Sequence, residues 1–195
     1  MIAALYVERG GAYWDQPGID PWDESRDARK YRGPHSVVAH PPCARWSTLA
    51  YVNRARYGLQ IGDDSGCFAA ALAAVTTYGG VLEHPKNSLA WKRFLLPAAT
   101  HGRWNRRGNM YATEVSQRNY GHRARKLTWL LYVGNVPPAP LDWSPPPPPL
   151  AQISTYKPTA DMTVEHMGKK ESRATPPAFR DLLLRLATGS RNLPR

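Results

Sequence analysis

The chain has 195 residues, 42% hydrophobic and 21% charged, a balance that suits one packed domain with a short appendage and excludes general disorder. Lys and Arg number 26 against 15 Asp and Glu, and the resulting +11 calls for a polyanionic partner, nucleic acid before an acidic membrane surface. No apolar run approaches the ~20 residues of a membrane span, residues 1–9 are too short for a secretory leader, and the two cysteines, Cys43 and Cys67, exclude a disulfide framework and point to a reducing, cytoplasmic location.

Charge is uneven. Residues 1–30 carry six acids and four bases, which leaves +13 on the remaining 165 residues. Residues 2–7 read as a strand running into Gly10-Gly11. Residues 36–39 form a second apolar run, stopped by His40-Pro41-Pro42. Residues 64–78 are alanine-rich, with Phe68, Leu72 and Val75 at helical spacing; Asp63 or Asp64 caps this helix and Gly79-Gly80 ends it. Val81-Leu82 then reads as a strand cut off by Pro85. Residues 127–133, aromatic and branched, are the best strand in the chain and stop at Gly134. Residues 136–149 hold the run Pro145 to Pro149 and favour an extended polyproline path, either a stiff connector or a ligand for an aromatic groove. Thr175-Pro176-Pro177 opens a final amphipathic helix with Phe179, Leu182, Leu183 and Leu186 on one face. Short buried strands around a helix predict an α/β sheet. Such sheets bind ligands beyond the carboxyl ends of their strands, so His40–Cys43 and Glu83–Pro85 are expected in one cleft.

Three segments carry chemistry. In Val38-Ala39-His40-Pro41-Pro42-Cys43-Ala44-Arg45, a cysteine is held on a rigid backbone at a strand end, and His40 and Arg45 favour its thiolate. Cys67, inside an alanine-rich helix, reads as a space-filling cysteine. In Val81-Leu82-Glu83-His84-Pro85, a carboxylate ends an apolar strand; desolvation there raises its pKa and suits it to donating or sharing a proton, and the bland reading is a surface glutamate paired with Lys86 or Arg93. In the stretch Gln117-Arg118-Asn119-Tyr120-Gly121-His122-Arg123-Ala124-Arg125-Lys126, four permanent positive charges read as a phosphate-contacting surface or as a solvated basic turn. Arg123 and Arg125 share a face if that chain is extended.

The order of these motifs resembles the DNA cytosine-5 methyltransferases. Pro42-Cys43 follows a strand, as that family's Pro-Cys does, and Arg45-Trp46-Ser47 matches its serine-containing loop. Asp63-Asp64-Ser65-Gly66-Cys67-Phe68 is similar to its Asp-x-Arg-Gly helix start. Leu82-Glu83-His84-Pro85 looks like its Glu-Asn-Val or Glu-Asn-Pro, with His84 for asparagine. The stretch from Asn119 through Tyr120-Gly121-His122-Arg123-Ala124-Arg125-Lys126 to Gly134 resembles its Tyr-Gly-x-x-Gln-x-Arg-x-Arg segment in compressed form. Ser172-Arg173-Ala174-Thr175-Pro176 resembles its Arg-x-Leu-Thr-Pro.

The resemblance implies a truncated Rossmann-like methyltransferase α/β sheet with flanking helices over residues 1–135, a proline-rich connector over 136–170 and a docking helix over 171–195. It implies a DNA partner, no membrane and no metal, in a minimal form of the kind a phage carries. S-adenosylmethionine would be held by a reduced glycine loop, Gly10 and Gly11, with Asp20 and Trp22. His40, Pro42, Arg45, Ser47, Gln117, Arg118, His122 and Lys126 would contact the nucleic acid. Cys43 would attack C6 of a flipped pyrimidine, Glu83 would hold or protonate N3, and Arg123 or Arg125 would stabilise the exocyclic oxygen. Gly11 and Cys43 are only 32 positions apart, short for that cofactor site, and residues 135–170 are few for a target-recognition domain. Two other classes are open: a DNA-binding protein that has kept the pocket without the chemistry, and a zinc deaminase using His40, Cys43, Cys67 and His84, which lacks the Cys-x-x-Cys and His-x-Glu patterns.

Overall fold

The computed structural model describes residues 1–153 and 164–190. Residues 154–163 of the connector and 191–195 of the C-terminal segment lie outside the described residues. The fold is α/β, a seven-stranded sheet flanked by helices and compatible with a Rossmann-like architecture. The strands are β1 (Ile2–Leu5), β2 (Ile19–Trp22), β3 (Ser36–Ala39), β4 (Gly80–Pro85), β5 (Asn105–Arg107), β6 (Met110–Ser116) and β7 (Leu127–Val133). Their order is β2-β1-β3-β4-β7-β6-β5. The first four are mutually parallel, and β7 runs antiparallel to both β4 and β6.

The helices are α1 (Ala50–Tyr57), α2 (Cys67–Tyr78), α3 (Leu89–Arg93), α4 (Lys169–Arg173) and α5 (Pro177–Gly189). Alternation along the strands divides the core into two layers. Val37, Ala39, Leu82 and Leu131 meet Phe68, Ala71 and Val75 of α2 on one face. Val38, Val81, Leu130 and Tyr132 meet Phe179, Leu182, Leu183 and Leu186 of α5 on the other. Burying each large apolar side chain of α5 is worth roughly 1.5–3 kcal/mol before chain entropy. That is why the last helix, with no side-chain cap, docks on the sheet. Helix α2 is capped from a distance: the Asp64 carboxylate accepts from Phe68 N at 2.8 Å and Gly66 N at 3.1 Å. Gly80 joins α2 to β4 at φ +130°, where a Cβ would lie 1.9 Å from the Val37 carbonyl, so only glycine lets β4 close onto β3.

The proline-rich stretch is a strap and not a free spacer. Trp143 Nε1 donates to Thr113 Oγ1 at 3.0 Å, Asn119 donates to the Ser144 carbonyl at 2.9 Å, and Arg118 Nε donates to the Pro148 carbonyl at 3.1 Å. The strap runs over the edge where β6 ends, and Leu141 and Trp143 pack on the α5-side core.

Candidate active site

The chain leaves β1 for β2 on one side, then returns past β1 to β3 on the other. The strand order therefore reverses between β1 and β3, and the crevice outside their carboxyl ends is where such sheets place ligands. The residues after β3 and at the end of β4 meet in that crevice. Register puts Ala39 beside Leu82, so the next residue on each strand, His40 and Glu83, are neighbours. His40 Nδ1 lies 3.0 Å from Glu83 Oε2, both side chains being under 15% exposed. The antiparallel β6 and β7 bring their own ends to the same edge. From just past β6, Gln117 Nε2 donates to Glu83 Oε1 at 3.2 Å and to Thr128 Oγ1 at 2.9 Å. Tyr13, buried in the β1–β2 connection, places its hydroxyl 2.8 Å from His40 Nε2. The result is a continuous chain of Tyr13, His40, Glu83, Gln117 and Thr128.

Glu83 lies within β4, paired with Leu130, and not after the strand. Burial pushes its pKa up, but the His40 hydrogen bond and the positive charges of His40 and Lys126 outweigh burial and hold it at about 2. The sequence predicts the opposite sign, because it shows the desolvation and not the donors. An imidazole is the stronger base of the two, so the proton between them rests on Nδ1 and Glu83 is a carboxylate.

Cys43 opens a turn in which its carbonyl accepts from Trp46 N at 3.0 Å and Ser47 N at 2.9 Å. Pro41 is buried, whereas Pro42 and Cys43 are exposed at the rim and Arg45 and Ser47 are half-buried. Beneath the turn lies His84, 1% exposed. Ser88 Oγ caps α3 by accepting from Ala90 N, and it lies in hydrogen-bond contact with His84 Nδ1 at 2.6 Å. Burial lowers the His84 pKa to about 4, against the charge of Glu83 and the pull of the Pro42 and Pro41 carbonyls. The neutral ring supports the backbone that carries Cys43. The Cys43 thiol itself is raised, first by desolvation and then by the charge of Glu83. Lys126 and Arg173 oppose that rise, so the cations acting on the thiol differ from the expected His40 and Arg45.

Two of the four cations of the basic stretch are engaged within the protein. The backbone bends at Arg123-Ala124, and Arg123 pairs with Glu165 and with Glu171, the latter at 2.8 Å. Arg118 bonds the strap and the His122 carbonyl. Gln117 and His122 are buried, and His122 Nδ1 lies 3.0 Å from the Ala124 carbonyl. Arg125 is exposed and Lys126 is half-buried at the crevice. The pair expected at an exocyclic oxygen thus diverges, and Lys126 is the residue of this stretch whose charge reaches both Cys43 and Glu83.

The expected cofactor residues do not fit S-adenosylmethionine. The β1–β2 connection, residues 6–18, is a series of turns with no helix whose N-terminus could face a ligand. Gly10 is at φ +67° in the first turn, and a Cβ on Gly11 would lie 2.9 Å from the Glu8 carbonyl; both serve the turn. Asp20 lies mid-strand, accepting from Trp22 Nε1 at 2.8 Å and pairing with Arg26 at 2.5 Å. Trp22 is covered by the Arg26 guanidinium at 4.1 Å and by Tyr31. The acid at the end of β2 is Asp23, and its Oδ1 accepts from Ser25 Oγ and Arg26 N. The Tyr13 ring packs against His40, with centroids 5.4 Å apart.

A cationic face absent from the sequence expectations lies just after the Cys43 turn. Of the eight residues of α1 only Ala50 is buried. Arg54 and Arg56 are exposed, with Tyr51 58% and Tyr57 63% exposed. Residues 44–62 contain three arginines and no acid, a signal that was visible in composition. An open cavity of about 720 Å³ adjoins it, lined by Trp46, Tyr51, Leu89, Lys92 and Arg93 among others. Among the described residues, no group of three or more His, Cys, Asp or Glu side chains is placed to hold a metal ion, and no helix is long and apolar enough to cross a membrane. Compared with known proteins, the chain matches no family profile and no curated protein.

Proposed function

We propose that the protein is a nucleic-acid base-modifying enzyme that activates a flipped pyrimidine through a Cys43 adduct at C6, in the manner of the cytosine-5 methyltransferases. The observation that carries this reading is the placement of Cys43 in the turn just after β3 and of Glu83 on the neighbouring β4, hydrogen-bonded at 3.0 Å to His40 from the same exit of β3, with the charges of Glu83 and Lys126 acting on the Cys43 thiol. A thiol, a clamped carboxylate and an ammonium are what addition to a pyrimidine requires: a nucleophile, an anchor for the ring's amide edge and a counter-charge for electrons leaving C6. Unstacking the base costs a few kcal/mol, roughly. Arg54 and Arg56 on α1 suit phosphates, and the exposed Tyr51 and Tyr57 suit stacked bases. Transfer from S-adenosylmethionine forms no part of the proposal, because the β1–β2 connection does not fit it.

The test is release of tritium from C5 of pyrimidines in single-stranded oligodeoxynucleotides, which follows addition at C6 and needs no donor. Release that is abolished by Cys43→Ser is the expected result. The unsuited cofactor region favours a second reading, a DNA-binding protein without the chemistry. Tight, salt-dependent DNA binding with no tritium release would establish that reading instead.

A further inference from the structure

We infer that the crevice selects a 4-oxo pyrimidine, a uracil-type ring with a hydrogen on N3, over cytosine. The inference rests on the covalent reading above and names the base it acts on.

The Glu83 carboxylate is met on both oxygens, by His40 Nδ1 on Oε2 and by the Gln117 amide on Oε1. Each is a fixed donor. His40 is held from its other side by Tyr13, and Gln117, 1% exposed, is held by Thr128. A proton on either carboxylate oxygen would weaken both charge-assisted bonds, so the site presents acceptor lone pairs to an incoming ring. The uracil ring offers N3–H to such an acceptor. Cytosine offers a bare N3, lone pair against lone pair, and its ring must gain a proton at N3 before C6 accepts a nucleophile. The His40 Nδ1 proton and the Gln117 amide proton are both engaged by Glu83 and are not placed to serve N3.

The second half of the site fits the same ring. The thiolate pair forms the S–C6 bond, the C5=C6 pair moves to C5–C4, and the C4=O pair becomes charge on O4. Lys126, on the arm leading into β7, supplies the cation there; its backbone is anchored through its carbonyl to Gln117 N at 2.9 Å. A water proton then adds at C5. Loss of the original C5 hydrogen as a proton expels the thiolate and restores the ring, so the cycle balances with water alone.

The experiment compares single-stranded oligodeoxynucleotides carrying one C5-tritiated dU or one C5-tritiated dC, with an N3-methyl-dU version of the first. Expected is release from dU at least about 10-fold faster than from dC, and a loss of about 100-fold on N3 methylation, since a methyl group then stands where the carboxylate would meet N3–H. In Glu83→Gln, whose amide can donate to a bare N3, the preference should move toward dC. Release from dC equal to or faster than from dU overturns the inference and leaves the covalent reading standing. So does undiminished release from N3-methyl-dU, a result that needs no variant to fold. Release from neither base overturns both.

Discussion

At the scale of single residues, the thiol and the carboxylate have exchanged the characters expected of them. Glu83 is an anchored carboxylate at about 2, and Cys43 is a raised thiol beside it. The causes differ: desolvation first, and then the negative charge of Glu83, raise the thiol, whereas the His40 hydrogen bond and nearby positive charge outweigh burial at Glu83. A raised thiol is mostly protonated at neutral pH, and its thiolate fraction grows about tenfold per pH unit below the pKa. Tritium release should therefore climb through pH 8.5, about where an ordinary thiol levels off. Lys126→Met, which removes an opposing cation, should push the plateau higher and slow release near neutrality. A rate that levels off below pH 7 would show that the thiol is activated by another group. Cys67 gives the internal control: it is half-buried, its thiol is also raised, and its carbonyl is bonded by Tyr6, so a thiol-specific alkylator should mark Cys43 first.

At the scale of elements, two basic segments compete for the role of nucleic-acid surface, and they differ in what their arginines touch. Between β6 and β7, Arg118 and Arg123 serve the strap and the acids of the region before and within α4. On α1, Arg54 and Arg56 are exposed with no acid within residues 44–62. Counterion release counts phosphate contacts: each one removed flattens the slope of log K against log salt by about 0.7 to 0.9. Replacing Arg54 and Arg56 together by alanine should flatten it by about 1.5 to 2. Arg118→Ala should leave it unchanged. The reverse pattern would return the interface to the β6–β7 arm. In the sequence both segments read as arginines near a tyrosine, and which guanidinium groups meet carboxylates is decided by chain segments up to 48 positions away.

At the scale of the whole molecule, the site is tied to stability because His84 and Glu83 lie on the central strand β4. Both pKa values are lower in the folded chain than in the unfolded one, so both groups stabilise the fold above their unfolded values and lose that contribution as pH falls. For His84 the loss runs from about 6.5 in the unfolded chain down to about 4. For Glu83 it begins near 4.3 and continues to about 2. The urea midpoint should accordingly fall in two stages on acidification. His84→Asn should shrink the upper stage, to which His122, lowered by its own burial, also contributes, and keep the lower; a single fall confined below pH 4.5 in the unsubstituted protein would refute the assignment. The docked strap and α5 belong to the same scale: they cover the face of the sheet opposite α2, and residues 136–153 are part of the body that holds the site.

Much of this was legible in the chain itself. The strands at residues 36–39 and 127–133, the helix after Asp64, the amphipathic last helix and the convergence of the residues after His40 with Glu83 all follow from local signals: hydrophobic period, β-branched content, caps and breakers. These are properties of neighbours in sequence, and they determined the α/β class and the position of the crevice. Strand β6 escaped, since Ala112 and Glu114 at its centre are poor strand formers on their own. They are held by β7 on one side, and by Trp129 and Lys86, which bond the buried Glu114. Only the tertiary structure decided the electrostatics. Whether Glu83 gains or loses a proton depends on His40 from 43 positions before it and Gln117 from 34 after it. A buried charge takes its sign from the donors that reach it, and the fold alone brings those donors within reach.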